Sequence, residues 1–122
     1  MAKLETGALR VRTYGDTRVV SLAGEHDLSS VEALSDAIDG QFREASHVVV
    51  DLTHATFVDS TIVCALAVGA EHAYASRVAR FSVVAPPRSF VSSVFAMADL
   101  RAMMPTYETL DEALRDGGDA TG

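Results

Sequence analysis

The stretch "HVVVDLTHATFVDSTIVCAL", His47 to Leu66, decides the fold because a buried strand and a helix meet within it. Residues 47–52 contain a run of three β-branched valines followed closely by Leu52, which is typical of a strand that is central in a sheet or covered on both faces. From Ser60 to about Ser76, small and apolar residues recur at helical spacing. This stripe consists of Ile62, Leu66, Gly69 and Ala73. The tripeptide Asp59-Ser60-Thr61 therefore lies at the start of a predicted helix.

Upstream of this stretch the sequence predicts a hairpin and a helix. "LRVRTYG" and "TRVVSLAG" flank Gly15-Asp16, a pair suited to a tight turn between two strands. In "SSVEALSDAIDGQFREA", Ser29 and Glu32 have the spacing of a capping box at a helix start. The predicted buried face of that helix is Val31, Leu34, Ile38 and Phe42.

Downstream, "RFSVVAP", Arg80 to Pro86, predicts a strand that ends at two prolines. "PRSFVSSVFAMADL" predicts a helix with Pro87 near its first turn, and a short fifth strand is expected around residues 102–105. "TLDEALRD" predicts a last helix, with Thr109 and Glu112 as a capping box and Gly117-Gly118 as its end. The predicted face of the middle helix is Phe90, Val94 and Ala98.

The order of these elements predicts an α/β fold with a mixed four- to five-stranded sheet and about four helices packed on it. A chain of 122 residues is expected to form one domain around one core. We expect that domain to span residues 1–116, with residues 117–122 as a flexible C-terminal tail.

Composition limits the expected partners. The chain has ten basic and seventeen acidic residues, which gives a net charge of −7, and its Lys and Arg residues form no cluster in the sequence. Neither nucleic acid nor an anionic membrane is therefore expected as a partner. No apolar run approaches the roughly 18 residues that span a bilayer, so no membrane insertion is expected. A single cysteine, Cys64, fits a cytoplasmic location and, inside an apolar helix, is expected to be a small buried side chain.

Asp59-Ser60-Thr61 has two compatible interpretations. In the first, Asp59 is an N-cap that accepts hydrogen bonds from the N–H groups of the next turn, and Ser60 merely begins the helix. In the second, Ser60 is a phosphoacceptor, because free N–H groups and the positive end of the helix dipole stabilise added negative charge. A phosphate would place about −1.5 to −2 charges beside Asp59 and would disfavour a partner docked over the helix start.

Catalytic and metal sites find little support. Ser60 does not lie in a G-x-S-x-G pattern, and no spacing singles out one histidine as its base. The potential ligands also lack paired spacing on one helix face, so solvated histidines are expected. These candidates are His26, His47, His54, His72, Asp51 and Asp59. We expect no enzymatic activity, no catalytic residue, no cofactor and no metal.

A second polar segment, "AGEHDLSS", follows the second predicted strand as Asp59 and Ser60 follow the third. Its acidic residues could simply belong to a charged loop at a helix start. If the two strands run parallel, however, both segments emerge at one end of the sheet, where working surfaces commonly form. Asp27 is then a candidate neighbour of Ser60.

Several segments taken in order resemble a STAS domain, and the chain as a whole resembles a stand-alone anti-sigma factor antagonist of bacteria. The resemblance covers about residues 9–114 and implies a mixed five-stranded sheet with helices mainly on one side. The segments are "VVSLAGEHDLSSVEAL", "HVVVDLTHATFVDSTIVCAL", "FSVVAPPRSFVSSVFAMADL" and "YETLDEAL".

The resemblance also implies a function. In that family the serine of a D-S-[ST]-G sequence is phosphorylated by a partner kinase that is also the anti-sigma factor. The unmodified antagonist binds this kinase and frees the sigma factor. Ser60 matches the phosphoacceptor, with Thr61 as the alternative, and Asp27 matches the aspartate of the family's G-x-x-D segment. The implied partners are an anti-sigma factor serine kinase and, as a further candidate, a phosphatase.

One residue departs from the family pattern. Ile62 stands where the family usually has glycine, and its branched side chain either alters kinase access or turns into the core. Ile62 is therefore counted with Asp27, Asp59 and Thr61 among the expected partner-binding residues. The alternative function is an unmodified STAS scaffold subunit of a stress-sensing or transporter-associated complex.

Overall fold

The computed structural model describes residues 7–76, 80–98 and 104–118. A 3₁₀ turn, Leu28–Ser30, precedes the first helix, and the predicted order of elements is confirmed. The strands and helices in chain order are β1 (Gly7–Tyr14), β2 (Thr17–His26), α1 (Val31–Gln41), β3 (His47–Val58), α2 (Ser60–Ser76), β4 (Arg80–Val84), α3 (Phe90–Ala98), β5 (Thr106–Tyr107) and α4 (Leu110–Gly118).

The sheet is mixed and has five strands in the order β1-β2-β3-β4-β5. β1 pairs with β2 as an antiparallel hairpin, and each later pair is parallel. Gly15 has a φ of 60° in the two-residue turn of that hairpin, a conformation that glycine adopts without a Cβ clash. The predicted fold class is therefore confirmed.

The larger core lies between one face of the sheet and the helices α1 and α2. Leu34 and Ile38 of α1 meet Ile62 and Leu66 of α2 over the central strands, and each of these side chains is fully buried. Gly69 lets the two helices approach, because a Cβ at that position would lie 3.2 Å from Cγ2 of Ile38.

A smaller core lies on the opposite face of the sheet, under α4. Val19, Val49 and Val84 present this face, and Ala113 of α4 packs on them together with Leu110 and Leu114. The helices α1 and α2 thus share one face, and α4 covers part of the other.

The third strand is longer than predicted. β3 continues beyond Leu52 to Val58, with register shifts against β2 near Ser21 and Gly24. Beyond Leu52 the buried positions come every third residue, at Ala55 and Val58, because each bulge inserts an extra residue. The alternation that marks a strand in a sequence is therefore lost where β3 in fact continues.

Two predicted helix starts differ from the structure. The Ser29–Glu32 capping box is wrong, because Ser29 lies in the 3₁₀ turn and its N–H and hydroxyl donate to Asp27. Pro87 lies in a turn before α3 instead of in its first turn, and the hydroxyl of Ser89 caps that helix by accepting from the Ser92 N–H at 3.0 Å. The face predicted for α3 shifts as well, since Phe90 is 51% exposed whereas Val91 is buried and Val94 half-buried. The side chain of Ala98 lies outside the described part of the structure.

The C-terminal part follows the prediction more closely. The hydroxyl of Thr109 caps α4 by accepting from the Glu112 N–H at 3.2 Å, although the Glu112 carboxylate returns to the Glu108 N–H. The fifth strand lies at Thr106–Tyr107, after the predicted position, of which residues 102–103 are outside the described ranges. Of the tail predicted at 117–122, the first two residues end α4 and the other four are likewise not described.

Candidate functional site

The ends of β2 and β3 bring two acidic segments together. These strands run parallel, and their register ends with His26 paired to Val58, so Asp27 and Asp59 follow directly at one edge of the sheet. The 3₁₀ turn after Asp27 contacts α2. The parallel pairing that the sequence prediction for Asp27 required is therefore present.

Asp59 is the N-cap of α2. Its Oδ1 accepts from the N–H of Thr61 at 3.0 Å, from the N–H of Ile62 at 3.3 Å and from the Thr61 hydroxyl at 2.5 Å. The capping interpretation is confirmed. The expectation of free N–H groups for a phosphate is wrong for Thr61 and Ile62, because Asp59 already occupies both donors.

Ser60 and Thr61, the two candidate phosphoacceptors, differ in the state of their hydroxyls. Ser60 is exposed as the first residue of α2, and its hydroxyl makes no hydrogen bond to any residue of the described ranges. Thr61 is half-buried and its hydroxyl is held by Asp59. The Ser60 hydroxyl is therefore directly accessible from solvent, whereas the Thr61 hydroxyl must first break its hydrogen bond to Asp59.

Asp27 repeats the arrangement of Asp59. Its Oδ1 accepts from the hydroxyl of Ser29 at 2.6 Å and from the Ser29 N–H at 2.9 Å. The hydrogen bond from the hydroxyl is the main cause that lowers the pKa of the Asp27 carboxyl below its ordinary value of 3.8. Asp27 is thus a carboxylate at neutral pH, near the strand end that leads into Ser60.

An apolar groove of ≈ 320 Å³ starts at Ser60 and runs between the N-terminal halves of α1 and α2. Leu28 and Val68 line it and are 69% and 45% exposed. Cys64 also lines it and is exposed, so the prediction of a buried cysteine is wrong. The sequence held a signal for this surface, since Ser60, Cys64 and Val68 recur at four-residue spacing on one helix face.

Sequence comparison places the chain in a family. The family model described as "Mlab, STAS domain" matches residues 9–105. The chain belongs to the STAS family. No curated protein is significantly similar to it in sequence.

Solved structures share the fold of this STAS domain along nearly its whole length. An anti-sigma factor antagonist from Mycobacterium paratuberculosis is 27% identical with a TM-score of 0.84, and the match covers 98% of this chain and 100% of that one. The Bacillus cell fate determinant SpoIIAA in the phosphorylated form is 20% identical with a TM-score of 0.66, over 94% and 100% of the two chains. An anti-sigma-factor antagonist (STAS) domain protein from Planctomyces limnophilus is 19% identical with a TM-score of 0.77, over 90% and 97%. The last two likenesses, at such low identity, show the fold alone.

Ile62 of this STAS domain cannot contact a partner. Its side chain is fully buried in the larger core, so its prediction as a partner-binding residue is wrong. The branched side chain of Ile62 turns into the core, which is one of the two expected outcomes. Since Ser60 stays exposed beside it, Ile62 gives no reason to doubt access to the serine.

The histidines divide into two buried and two exposed. His26 and His47 are 3% and 2% exposed, so the prediction that they are solvated is wrong, whereas His54 and His72 are exposed as predicted. The ring of His26 bonds to the Ser30 hydroxyl at 2.9 Å and to the Ala23 carbonyl at 3.0 Å, between β2 and α1.

Two further findings hold for the residues that the structure describes. No group of three or more His, Cys, Asp or Glu side chains is arranged to hold a metal ion. No helix in the same ranges is both long and apolar enough to cross a membrane.

Proposed function

We propose that this STAS protein is an anti-sigma factor antagonist whose unmodified form binds an anti-sigma factor with serine kinase activity and thereby frees a sigma factor. Phosphorylation of Ser60 ends that binding. The observation that carries the proposal is the exposed Ser60 hydroxyl at the end of an apolar groove, beside a Thr61 hydroxyl that Asp59 holds. The full-length similarity to the Mycobacterium paratuberculosis antagonist supports the same role.

The groove provides the docking surface in this proposal. A partner segment that covers Leu28 and Val68 removes apolar surface from water, at about 25 cal/mol for each Å² buried. Because Ser60 and Thr61 line the same groove, this partner also lies over the serine. The docked kinase is then in position to transfer the γ-phosphoryl group of ATP to Oγ of Ser60, while its own base takes the hydroxyl proton.

The added phosphate acts by charge and desolvation, without refolding the domain. It brings about −1.5 to −2 charges next to the carboxylate of Asp59, in a region that Asp27 already makes negative. The helix N–H groups of Thr61 and Ile62 are engaged by Asp59 and are not free to bind the phosphate. Covering this charge with an apolar partner surface is costly, so the complex dissociates until a phosphatase removes the group.

Titration calorimetry against the co-purifying anti-sigma factor kinase tests the proposal, together with labelling from radioactive ATP. We expect Ser60→Ala to bind like wild type and to remain unlabelled. Ser60→Asp should bind about tenfold more weakly or worse, a loss of about 1.4 kcal/mol, because the complex would bury an unpaired charge. Ser46→Asp is the matched control, because it adds the same charge at an exposed position before β3, at the other end of the strand.

Two results would count against this function. Equal binding of wild type and Ser60→Asp, with no labelling of wild type, removes the switch. A stable complex that forms without ATP and ignores both Ser60 variants favours the unmodified scaffold subunit instead.

A further inference from the structure

A second groove lies on the opposite face of the sheet, beside α4. It consists of two adjoining cavities of ≈ 190 Å³ and ≈ 330 Å³ that share Arg12, Ser21, Asp51 and His54. The smaller cavity extends to Arg10 on β1, and the larger one to residues 108–111 at the start of α4. This polar groove is separate from the apolar groove at Ser60, which lies on the α1 and α2 side.

One row of the sheet forms the floor of the polar groove. Arg10 of β1 pairs with Ser21 of β2, and Ser21 pairs with Asp51 of β3. Since neighbouring strands lie about 4.8 Å apart, the backbones of Arg10 and Asp51 are roughly 10 Å apart across the row. A cation and a carboxylate thus border the same groove on two sides of a serine.

Asp51 is a buried carboxylate without a cation. The residue is 7% exposed, and its Oδ1 accepts from the N–H and the hydroxyl of Thr53, which holds the first bulge of β3. Within the described part of the chain, the carboxylate of Asp51 forms no ion pair and no hydrogen bond other than those from Thr53. Burying a carboxylate unpaired is costly, so a positive group in the groove would stabilise it.

On the β1 side of the groove, two arginine side chains lack a carboxylate partner among the described residues. Arg10 and Arg12 are exposed neighbours on one face of β1, and neither side chain forms an ion pair or a hydrogen bond among the residues described. The bulge of β3 also leaves His54 lining the groove. The start of α4 adds Glu108 and Asp111, so the groove is positive along β1 and negative towards β3 and α4.

We propose that the polar groove binds a small zwitterion of the α-amino-acid class. The ammonium group of the ligand donates to Asp51, and its carboxylate accepts from the guanidinium groups of Arg10 and Arg12, which are suited to bidentate binding of a carboxylate. A ligand that carries only the ammonium group or only the carboxylate leaves either the arginines or Asp51 without a partner. The larger cavity is at the low end of the roughly 300–1,000 Å³ typical of ligand pockets, which suits a small molecule. This binding is independent of the phosphorylation proposed for Ser60.

NMR titration of the ¹⁵N-labelled full chain with the individual proteinogenic α-amino acids tests the proposal. Ethylamine and acetate are included as the two half-ligands, inorganic phosphate as a pure anion and an oligolysine peptide as a cationic protein segment. We expect one or a few amino acids to shift the amide signals of Ser21, Ala23 and His54, with neither half-ligand doing so at equal concentration.

Two independent variants test the assignment of the charges. Asp51→Asn keeps an Oδ1 acceptor for Thr53 and removes the charge, and the double variant Arg10→Gln/Arg12→Gln changes exposed side chains that make no contact needed for folding. Each should raise the Kd of the bound amino acid about tenfold or more. Arg18→Gln is the matched control, because Arg18 pairs with Glu44 away from the groove, and it should leave the Kd unchanged.

Three results would overturn the proposal. The first is that no amino acid shifts these signals, or that shifts persist in both charge variants. In the second, acetate or phosphate binds as well as any amino acid and depends on the arginines alone, which makes the groove an anion site. In the third, only the oligolysine peptide binds, which makes the groove a protein interface.

Discussion

Among single residues, the position of a hydroxyl within an Asp-x-Ser or Asp-x-Thr triplet determines whether the aspartate binds it or leaves it available for modification. Asp27, Asp51 and Asp59 each begin such a triplet, and each Oδ1 accepts both the N–H and the hydroxyl two residues later. In the triplet of Asp59, the middle residue Ser60 takes no part in this pattern. The same cap that starts α2 therefore occupies Thr61 and leaves Ser60 available.

Removing this cap should lower the stability of the domain and make the kinase less selective for Ser60 over Thr61. We predict that Asp59→Ala lowers the free energy of unfolding by about 1 kcal/mol, as loss of an N-cap does, and that the kinase then also modifies the released Thr61 hydroxyl. Urea denaturation and phosphosite mapping check the two parts. Asp36→Ala on the exposed face of α1 is the control, and its effect should stay within about 0.5 kcal/mol. Unchanged stability in Asp59→Ala would contradict the capping role.

The carboxyl of Asp27 gives a prediction that depends on pH. Its pKa lies below 3.8 in the folded protein, so it stabilises the folded state above pH 3.8, and this contribution disappears as the pH falls through the lowered pKa. Ser29→Ala removes the main cause, and the pKa should rise towards 3.8. Carboxyl ¹³C NMR titration measures it, with Ser93→Ala as a control that should not move it. A wild-type Asp27 that titrates at 3.8 would speak against the hydrogen bond.

At the scale of the element, α2 serves two surfaces at once. Ile62, Leu66 and Ala73 turn into the larger core, whereas Cys64 and Val68 line the apolar groove that begins at Ser60. At position 62, where the resemblance implies glycine, the side chain of Ile62 is therefore part of the core and does not obstruct the serine. Substitutions on the core face of α2 should therefore affect stability, and substitutions on its groove face should affect partner binding.

Paired substitutions on α2 test this separation. We predict that Ile62→Ala costs about 2–5 kcal/mol of unfolding free energy because it leaves a cavity in the core. Val68→Ala should change stability by no more than about 0.5 kcal/mol and instead weaken binding to the kinase, since it removes exposed apolar surface from the groove. Urea denaturation and calorimetry measure the two effects. If Ile62→Ala proved as mild as Val68→Ala, the core position of Ile62 would be wrong.

For the molecule as a whole, the sequence predicted the order of elements, the hairpin and the start of α2 at Ser60, because each has a local cause. The turn at Gly15-Asp16 and the cap at Asp59 each depend only on residues that are close together in the sequence. The continuation of β3 to Val58 could not be predicted in the same way, since its two bulges replace the period of two that identifies a strand.

The candidate site was predicted in part. Ser60, Asp59 and Asp27 fall at one edge of the sheet as expected, whereas the exposure of Cys64 and the burial of His26 depend on how helices and strands pack. Such contacts join residues far apart in the chain. The four-residue spacing of Ser60, Cys64 and Val68 indicates a shared helix face, but it does not show whether that face is covered. The apolar groove itself forms only when the 3₁₀ turn and α1 meet α2.

Mass spectrometry of the protein purified from its own cells, in growth and under stress, tests the central claim most directly. The tryptic peptide from Glu44 to Arg77 has no internal Lys or Arg and contains both Ser60 and Thr61. We predict phosphate on Ser60, in a fraction that changes with the growth condition. A peptide that stays unmodified in every condition at high coverage, or that carries phosphate on Thr61 alone, would contradict the proposed switch.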